Sequence, residues 1–100
     1  MIFITQLIYI REGQQTIFDQ FEAVAIPIIS RYNGRVHFRV RPERHAYIQS
    51  DIELPYEIHL VEFVSEEDFR SFMQDEERKS FLHLKEQSIS SVVLYKGERL

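Results

Sequence analysis

Two short stretches of the chain carry titratable side chains at spacings that matter for chemistry. His37, Arg39 and Arg41 recur at every second residue of RVHFRVR (35–41), and alternate residues of a strand share a face. Two guanidinium groups beside an imidazole could bind a carboxylate or phosphate at a pocket mouth, with His37 as acid or base. The same residues would equally serve as a solvated edge-strand face, where charges deter sheet-edge association. His59 and Glu62 lie in YEIHLVEFV (56–64). Their spacing would align them on a helix, but on a strand it sends them to opposite faces, so a direct pair or a shared metal is not expected. Glu62 falls with Ile58 and Leu60. Buried without a partner there, its carboxyl would have a raised pKa and suit general acid–base work; with a partner it is structural. His59 reads either as a catalytic group or as a hydrogen-bonded sheet residue.

Tyr9, Tyr32 and Tyr95 could offer hydroxyls to an apolar cavity, or pack as ordinary core and interface residues. His45 and His83 have no ligand pattern near them. A Gly-rich phosphate loop, a G-x-S-x-G elbow and an H-E-x-x-H pair are absent. There is no cysteine, which excludes disulfides, thiolate metal sites and a cysteine nucleophile. No metal and no cofactor is expected.

The elements that must position these residues can be read from hydrophobic period. Residues 2–10 (IFITQLIYI) are β-branched and aromatic, as in a strand. Apolar residues at Ile17, Phe18, Phe21, Val24, Ala25, Ile28, Ile29 and Tyr32 then mark a helix over 14–32. Asp19 and Glu22 are read as its outer face. Pro27 removes a backbone donor, so a kink near 23–27 is expected, and Asn33-Gly34 is a left-handed stop. Strict alternation predicts a second strand over 35–41, with Val36, Phe38 and Val40 opposite His37, Arg39 and Arg41. The connection from Pro42 to Pro55 is long, and AYIQ (46–49) extends the strand or forms an arm. A third strand spans 56–64. Ser65 and Asp68 signal a helix start, and Asp75 a second helical piece carrying Phe81 and Leu82. Residues 88–96 form a closing strand.

The strands are apolar on both sides. Ile2, Ile4, Ile8 and Ile10 oppose Phe3, Leu7 and Tyr9; Ile58, Leu60 and Val64 oppose Val61 and Phe63; Val92 and Leu94 oppose Ile89, Val93 and Tyr95. Two helical regions can cover only one face, so the other calls for a partner, most simply a second copy of the chain. With 100 residues the chain is one domain (1–100) and gains from such pairing. The net charge of −4 argues against nucleic acid and anionic membranes as partners. Its distribution is uneven: residues 31–45 carry five Arg and residues 51–77 ten carboxylates, read as solvated faces, as complementary self-interface patches or as a basic rim for an anionic ligand. The first residues lack a basic leader and a small-residue cleavage site, and no apolar run is long enough to span a bilayer, so a cytoplasmic protein is expected.

Three stretches resemble the dimeric α/β-barrel superfamily, in particular an uncharacterised branch related to antibiotic-biosynthesis monooxygenase-like and stress-responsive barrel proteins. They are IPIISRYNGRV (26–36), EIHLVEFVSEEDFRSF (57–72) and the closing strand with its terminal Gly; Asn33 stands where that branch often has Gly. The resemblance implies a ferredoxin-like βαββαβ sandwich with a four-stranded antiparallel sheet, dimerising sheet to sheet. It also implies a cavity between the sheet and the first helix, at Phe21, Ala25, Ile28 and Tyr32. The functional expectation is a homodimer binding a small hydrophobic or weakly anionic molecule, with Tyr32, Arg39, Arg41 and Phe21 as ligand-binding candidates. The alternatives are a cofactor-independent monooxygenase or isomerase using Glu62, His59 or His37, and a structural or stress-related dimer without ligand. The fold carries no reaction with it.

Overall fold

The computed structural model describes residues 1–100. Strand β1 (Ile2–Ile10) leads to helix α1 (Gln15–Ile28), a 3-10 turn (Ile29–Tyr32) and strand β2 (Gly34–Val40). After a second 3-10 turn (Arg44–Ala46) come β3 (Glu57–Phe63), three short helices α2 (Glu66–Met73), α3 (Glu76–Ser80) and α4 (Leu82–Ser88), and β4 (Ile89–Gly97). The four strands form one antiparallel sheet in the order β2-β3-β1-β4. The architecture is the ferredoxin-like α+β sandwich that the resemblance implies.

Alternation sorts the central strands as expected. Ile4 and Ile8 of β1, and Glu57, His59, Val61 and Phe63 of β3, are buried beneath the helices. Phe3, Leu7, Ile58 and Leu60 therefore face the opposite, uncovered side. The helix-side core gathers Ile4, Ile28, Ile29, Val61, Phe63, Phe69 and Phe72, with the Phe63 ring 5.4 Å from that of Phe69 and 5.6 Å from that of Phe72.

The edge strands depart from strict alternation. In β2, Val36 pairs with Val61 but Phe38 pairs with Leu60, leaving His37 as an extra residue in a bulge. The expected grouping of His37 with Arg39 and Arg41 is thereby broken. Val36 keeps to the helix side and Phe38 and Val40 to the open side, while Arg39, opposite His59, turns toward the helices. The His37 ring meets Phe3 on the open side at 5.7 Å. A second irregularity, between Tyr9 and Ile10, lets Ile89 join Val92 and Leu94 on the helix side instead of opposing them.

Local signals in the helical segments are met. The expected kink near 23–27 does not interrupt the helix: α1 runs on through Pro27 to Ile28, and the Ile29 amide donates to the Ile26 carbonyl in the 3-10 turn that follows. Asn33 stops that turn at φ 57°. The Ser65 hydroxyl accepts from the Asp68 amide at 3.1 Å, and Asp75 accepts from the Arg78 amide at 2.8 Å. AYIQ forms no strand. The basic and acidic blocks pair within the chain: Arg31 with Glu77, Arg35 with Glu62, and Arg39 and Arg41 with Glu57.

Gly34 follows Asn33 where the chain passes under the 3-10 turn. A Cβ there would lie 2.5 Å from Ile29 Cγ2, 2.7 Å from Phe63 Cε1 and 2.8 Å from the Ile29 carbonyl oxygen. Two of these neighbours are core side chains and the third is backbone, so none can yield cheaply. Gly34→Ala is expected to cost about 1–3 kcal/mol and lower the melting temperature by about 5–15 °C in thermal denaturation. Asn33→Gly, which keeps the left-handed turn, should change it far less.

Candidate functional site

The helix side of the sheet buries charge as well as hydrocarbon. Glu57 and His59 enter it because they precede Val61 and Phe63 on the inner face of β3. Glu22 descends from α1 between Phe18 and Ala25 and is only 5% exposed. Reading Glu22 as outer face was incorrect. It lies four residues after Phe18 and three before Ala25, which are the spacings of one helical stripe.

Glu57 is neutralised from the edge strand. Arg41 donates through Nε to Glu57 Oε1 at 2.6 Å, and through Nη2 to Asp19 Oδ1 at 2.6 Å. Arg39 adds a 3.5 Å contact to Glu57 Oε2, the oxygen that also hydrogen-bonds His59 Nε2. Burial by itself would raise the Glu57 carboxyl. The His59 and Arg41 hydrogen bonds and the charges of His59 and Arg39 outweigh it and hold Glu57 below the usual carboxylate range.

Glu22 has no such partner. Its Oε1 lies 3.9 Å from His59 Nε2, and it makes no hydrogen bond. Burial pushes its carboxyl up to about 7, with His59 pulling downward and the Glu57 charge adding to the rise. Two carboxylates that approach the same imidazole nitrogen, His59 Nε2, are thus driven apart, one kept ionised and the other placed near neutrality, a division that separates acid and base roles. The donor atoms of Glu22, Glu57 and His59 lie within 4.8 Å of one another. Of the three, Glu57 is also engaged by Arg41 and Arg39.

Glu22 and His59 border a cavity of about 60 Å³ between the sheet and α1, lined also by Gln6, Phe21, Ala25, Phe69 and Arg78. That is space for about two waters. A wider cleft of about 230 Å³ adjoins it, sharing Gln6, Phe21, Glu22, Met73 and Arg78 and adding Lys85, Ile89, Val92 and Leu94. Arg78 lies between Phe21 and Phe72, its guanidinium 6.0 Å and 5.2 Å from their rings.

The sequence candidates divide accordingly. Phe21 and His59 border the cavity. Arg39 and Arg41 face the helix side but are occupied by Glu57 and Asp19, which leaves neither as an open anion site. Tyr32 does not line the cavity; its hydroxyl donates to Asp75 Oδ2 at 2.6 Å. Ile28, also expected there, is packed into the core. His37 and Glu62 bond each other at 2.9 Å on the open face, away from the cavity and from His59. Tyr9 donates to the Glu53 carbonyl oxygen at 2.8 Å. Glu22, Glu57, Arg78 and Lys85 were not anticipated. Helical stripe position would have found Glu22, and the E-x-H alternation would have found Glu57. Nothing local marks Arg78 or Lys85.

No family model matches the chain, and no curated protein matches it. Solved structures do. A protein of unknown function from Rhodopseudomonas palustris superposes with a TM-score of 0.83 at 15% identity, over 99% of this chain and 82% of its own. A nipsnap family protein with unknown function from Agrobacterium tumefaciens gives 0.69 at 17% identity, over 97% and 86%. A dimeric protein of unknown function and ferredoxin-like fold from Bacteroides fragilis gives 0.68 at 10%, over 98% and 95%. The fold is ferredoxin-like. At these identities the similarity extends to the fold alone. No helix is long and apolar enough to cross a membrane.

The two carboxylates leave opposite marks on stability. Glu22 has a raised folded pKa, so its favourable contribution is complete below pH 4.5 and is lost as pH rises through about 7. Glu57 has a lowered one, so its contribution is present above the usual carboxylate range and lost as pH falls. Denaturant unfolding of Glu22→Gln should match the parent near pH 4.5 and exceed it at pH 8 by on the order of 3 kcal/mol. An equal difference at both pH values would show that Glu22 does not change ionisation.

Proposed function

We propose that this chain is a homodimer whose helix-side cleft, with the small cavity behind it, holds a small, largely apolar molecule, and that Glu22, backed by His59 and Glu57, moves a proton on it. The observation that carries this is the Glu22 carboxylate: buried, without a hydrogen bond, and bordering both the cavity and the cleft. A carboxyl in that state can take a proton from a bound carbon acid and return it, with His59 adjacent and Glu57 holding the imidazole in place. Such chemistry belongs to a cofactor-independent isomerase or a related enzyme acting on an enolisable compound. A ligand-free structural dimer would require the space beside α1 to be filled by Phe21, Tyr32 and Phe69. Phe21 and Phe69 instead line an opening, and Tyr32 lies outside it.

Sheet-to-sheet pairing is supported by the open face. Phe38, Val40, Val93 and Tyr95 are 46%, 40%, 38% and 60% exposed, and Phe3, Leu7, Ile58 and Leu60 share their side. Only 18 of 100 residues are buried, too few for a domain of this size to ignore a second layer. One structural neighbour is described as dimeric. Light scattering should give twice the chain mass at micromolar concentration, and Phe3→Asp with Val93→Asp should give monomer or aggregate. A dimer unchanged by both substitutions would put the interface elsewhere.

The proton-transfer reading is tested by deuterium exchange. Small 1,3-dicarbonyl compounds in D₂O should exchange their acidic C–H faster with the protein, and Glu22→Gln should slow that catalysis by about 10²–10⁴-fold. Exchange equal to buffer for every compound, or catalysis unaffected by Glu22→Gln, would remove the proposal.

A further inference from the structure

Arg78 is a buried guanidinium of the helix side that no carboxylate meets in an ion pair, although Glu22 and Asp75 lie near enough for their charges to act on it. It is 7% exposed, forms no ion pair within 4 Å, and uses Nη1 alone, on the Met73 carbonyl oxygen at 3.3 Å. Its Nε is buried with no hydrogen-bond partner. An unpaired buried cation is costly, and a donor left without an acceptor adds to that cost. The aromatic faces of Phe21 and Phe72 offset part of it, but they do not satisfy the Nε–H. Arg78 borders both the inner cavity and the outer cleft. Lys85 of α4 borders the same cleft, half-buried and in no ion pair. Its ammonium is held below the usual lysine range by burial and by the Arg78 charge. Two cations that border one largely apolar space, neither held in an ion pair, form an arrangement that an anion would complete.

We propose that Arg78 and Lys85 form an anion-binding site in the cleft, and that its ligand is a small monocarboxylate whose apolar body lies along Ile89, Val92 and Leu94. The Nε edge of Arg78, whose buried Nε–H has no acceptor, carries the two parallel donors that a carboxylate accepts with two oxygens, and engaging it requires the guanidinium to turn toward the cleft. A monoanion suits the site better than a phosphate dianion, because the Glu22 carboxylate borders the same space and repels added negative charge. The proposal rests on the reading of the cleft as a ligand site and names the class of compound that Glu22 would meet: one with a carboxylate at one end and an exchangeable proton within reach of the inner cavity.

The test titrates hexanoate, hexan-1-ol and hexyl phosphate into the intact protein by calorimetry, while the Val92 and Leu94 methyl resonances are followed by NMR. Hexanoate should bind at least tenfold more tightly than hexanol and more tightly than hexyl phosphate, shifting both residues. Arg78→Met should bring hexanoate down to the level of hexanol while leaving hexanol unchanged. Lys85→Met, at a less buried position, should reduce the preference severalfold and provides the answer should Arg78→Met fail to fold. Equal binding of hexanoate and hexanol would overturn the anion site while leaving the cleft as a ligand site. Tighter binding of hexyl phosphate would overturn the carboxylate assignment. No shift at Val92 or Leu94 with any probe would overturn the ligand site itself, and with it this proposal.

Discussion

Glu57 begins β3 on the inner face of the sheet, almost fully buried, and a carboxylate in that position has to be neutralised. The cost of an uncompensated buried charge is several kcal/mol, comparable to the whole stability of a domain this size. Arg41 and Arg39 meet that requirement from the edge strand. They can do so because of one backbone feature, the bulge at His37. Two open-side residues in succession shift the alternation, carrying Phe38 and Val40 to the uncovered face and the arginines to the helix face. Without the bulge Arg39 would point away from Glu57, and Phe38 would point into the core.

The same ion-pair system shapes the site. Glu57 spends one oxygen on Arg41 and the other on His59 and Arg39, which holds the imidazole close to the inner cavity. His59 Nε2 meets Glu57 directly and Glu22 at a longer distance. The positive charge of the region is concentrated on Glu57, so Glu22 is left under-compensated and its proton affinity rises. The unpaired acid on α1 and the unpaired cation on α3 follow from the same geometry. Glu22 and Arg78 border a common space without an ion pair between them.

The sheet has two apolar faces and one layer of helices. The helix side contains the buried polar groups, while the open side carries mainly Phe, Leu, Ile, Val and Tyr, with the His37–Glu62 pair at its margin. On the proposed function the two faces have separate tasks. A flat apolar surface suits pairing of subunits, and a polar-lined cleft suits recognition of a small molecule. His37 and Glu62, whose types suggest chemistry, lie on the open face.

Much of the fold was legible in the residues. Period-two and period-3.6 patterns located the four strands and the main helix, and the cap residues Asn33, Ser65 and Asp75 marked where helical segments start or stop, because these signals act within a few residues of chain. The central strands β1 and β3 also showed their faces correctly, since alternation holds where no residue is inserted. The candidate site was legible only at Phe21, Ala25 and His59. Bulges at His37 and near Ile10 depend on how neighbouring strands pair, and a single inserted residue reverses every side chain beyond it. Glu22 and Glu57 carried a local signal of position but not of burial, which depends on what packs above them. For Arg78 and Lys85 even position was uninformative: their isolation from acids, and the cleft they share, exist only once α3 and α4 are laid against the sheet. Local periodicity determined the elements, and long-range packing decided which charges were left unpaired beside open space.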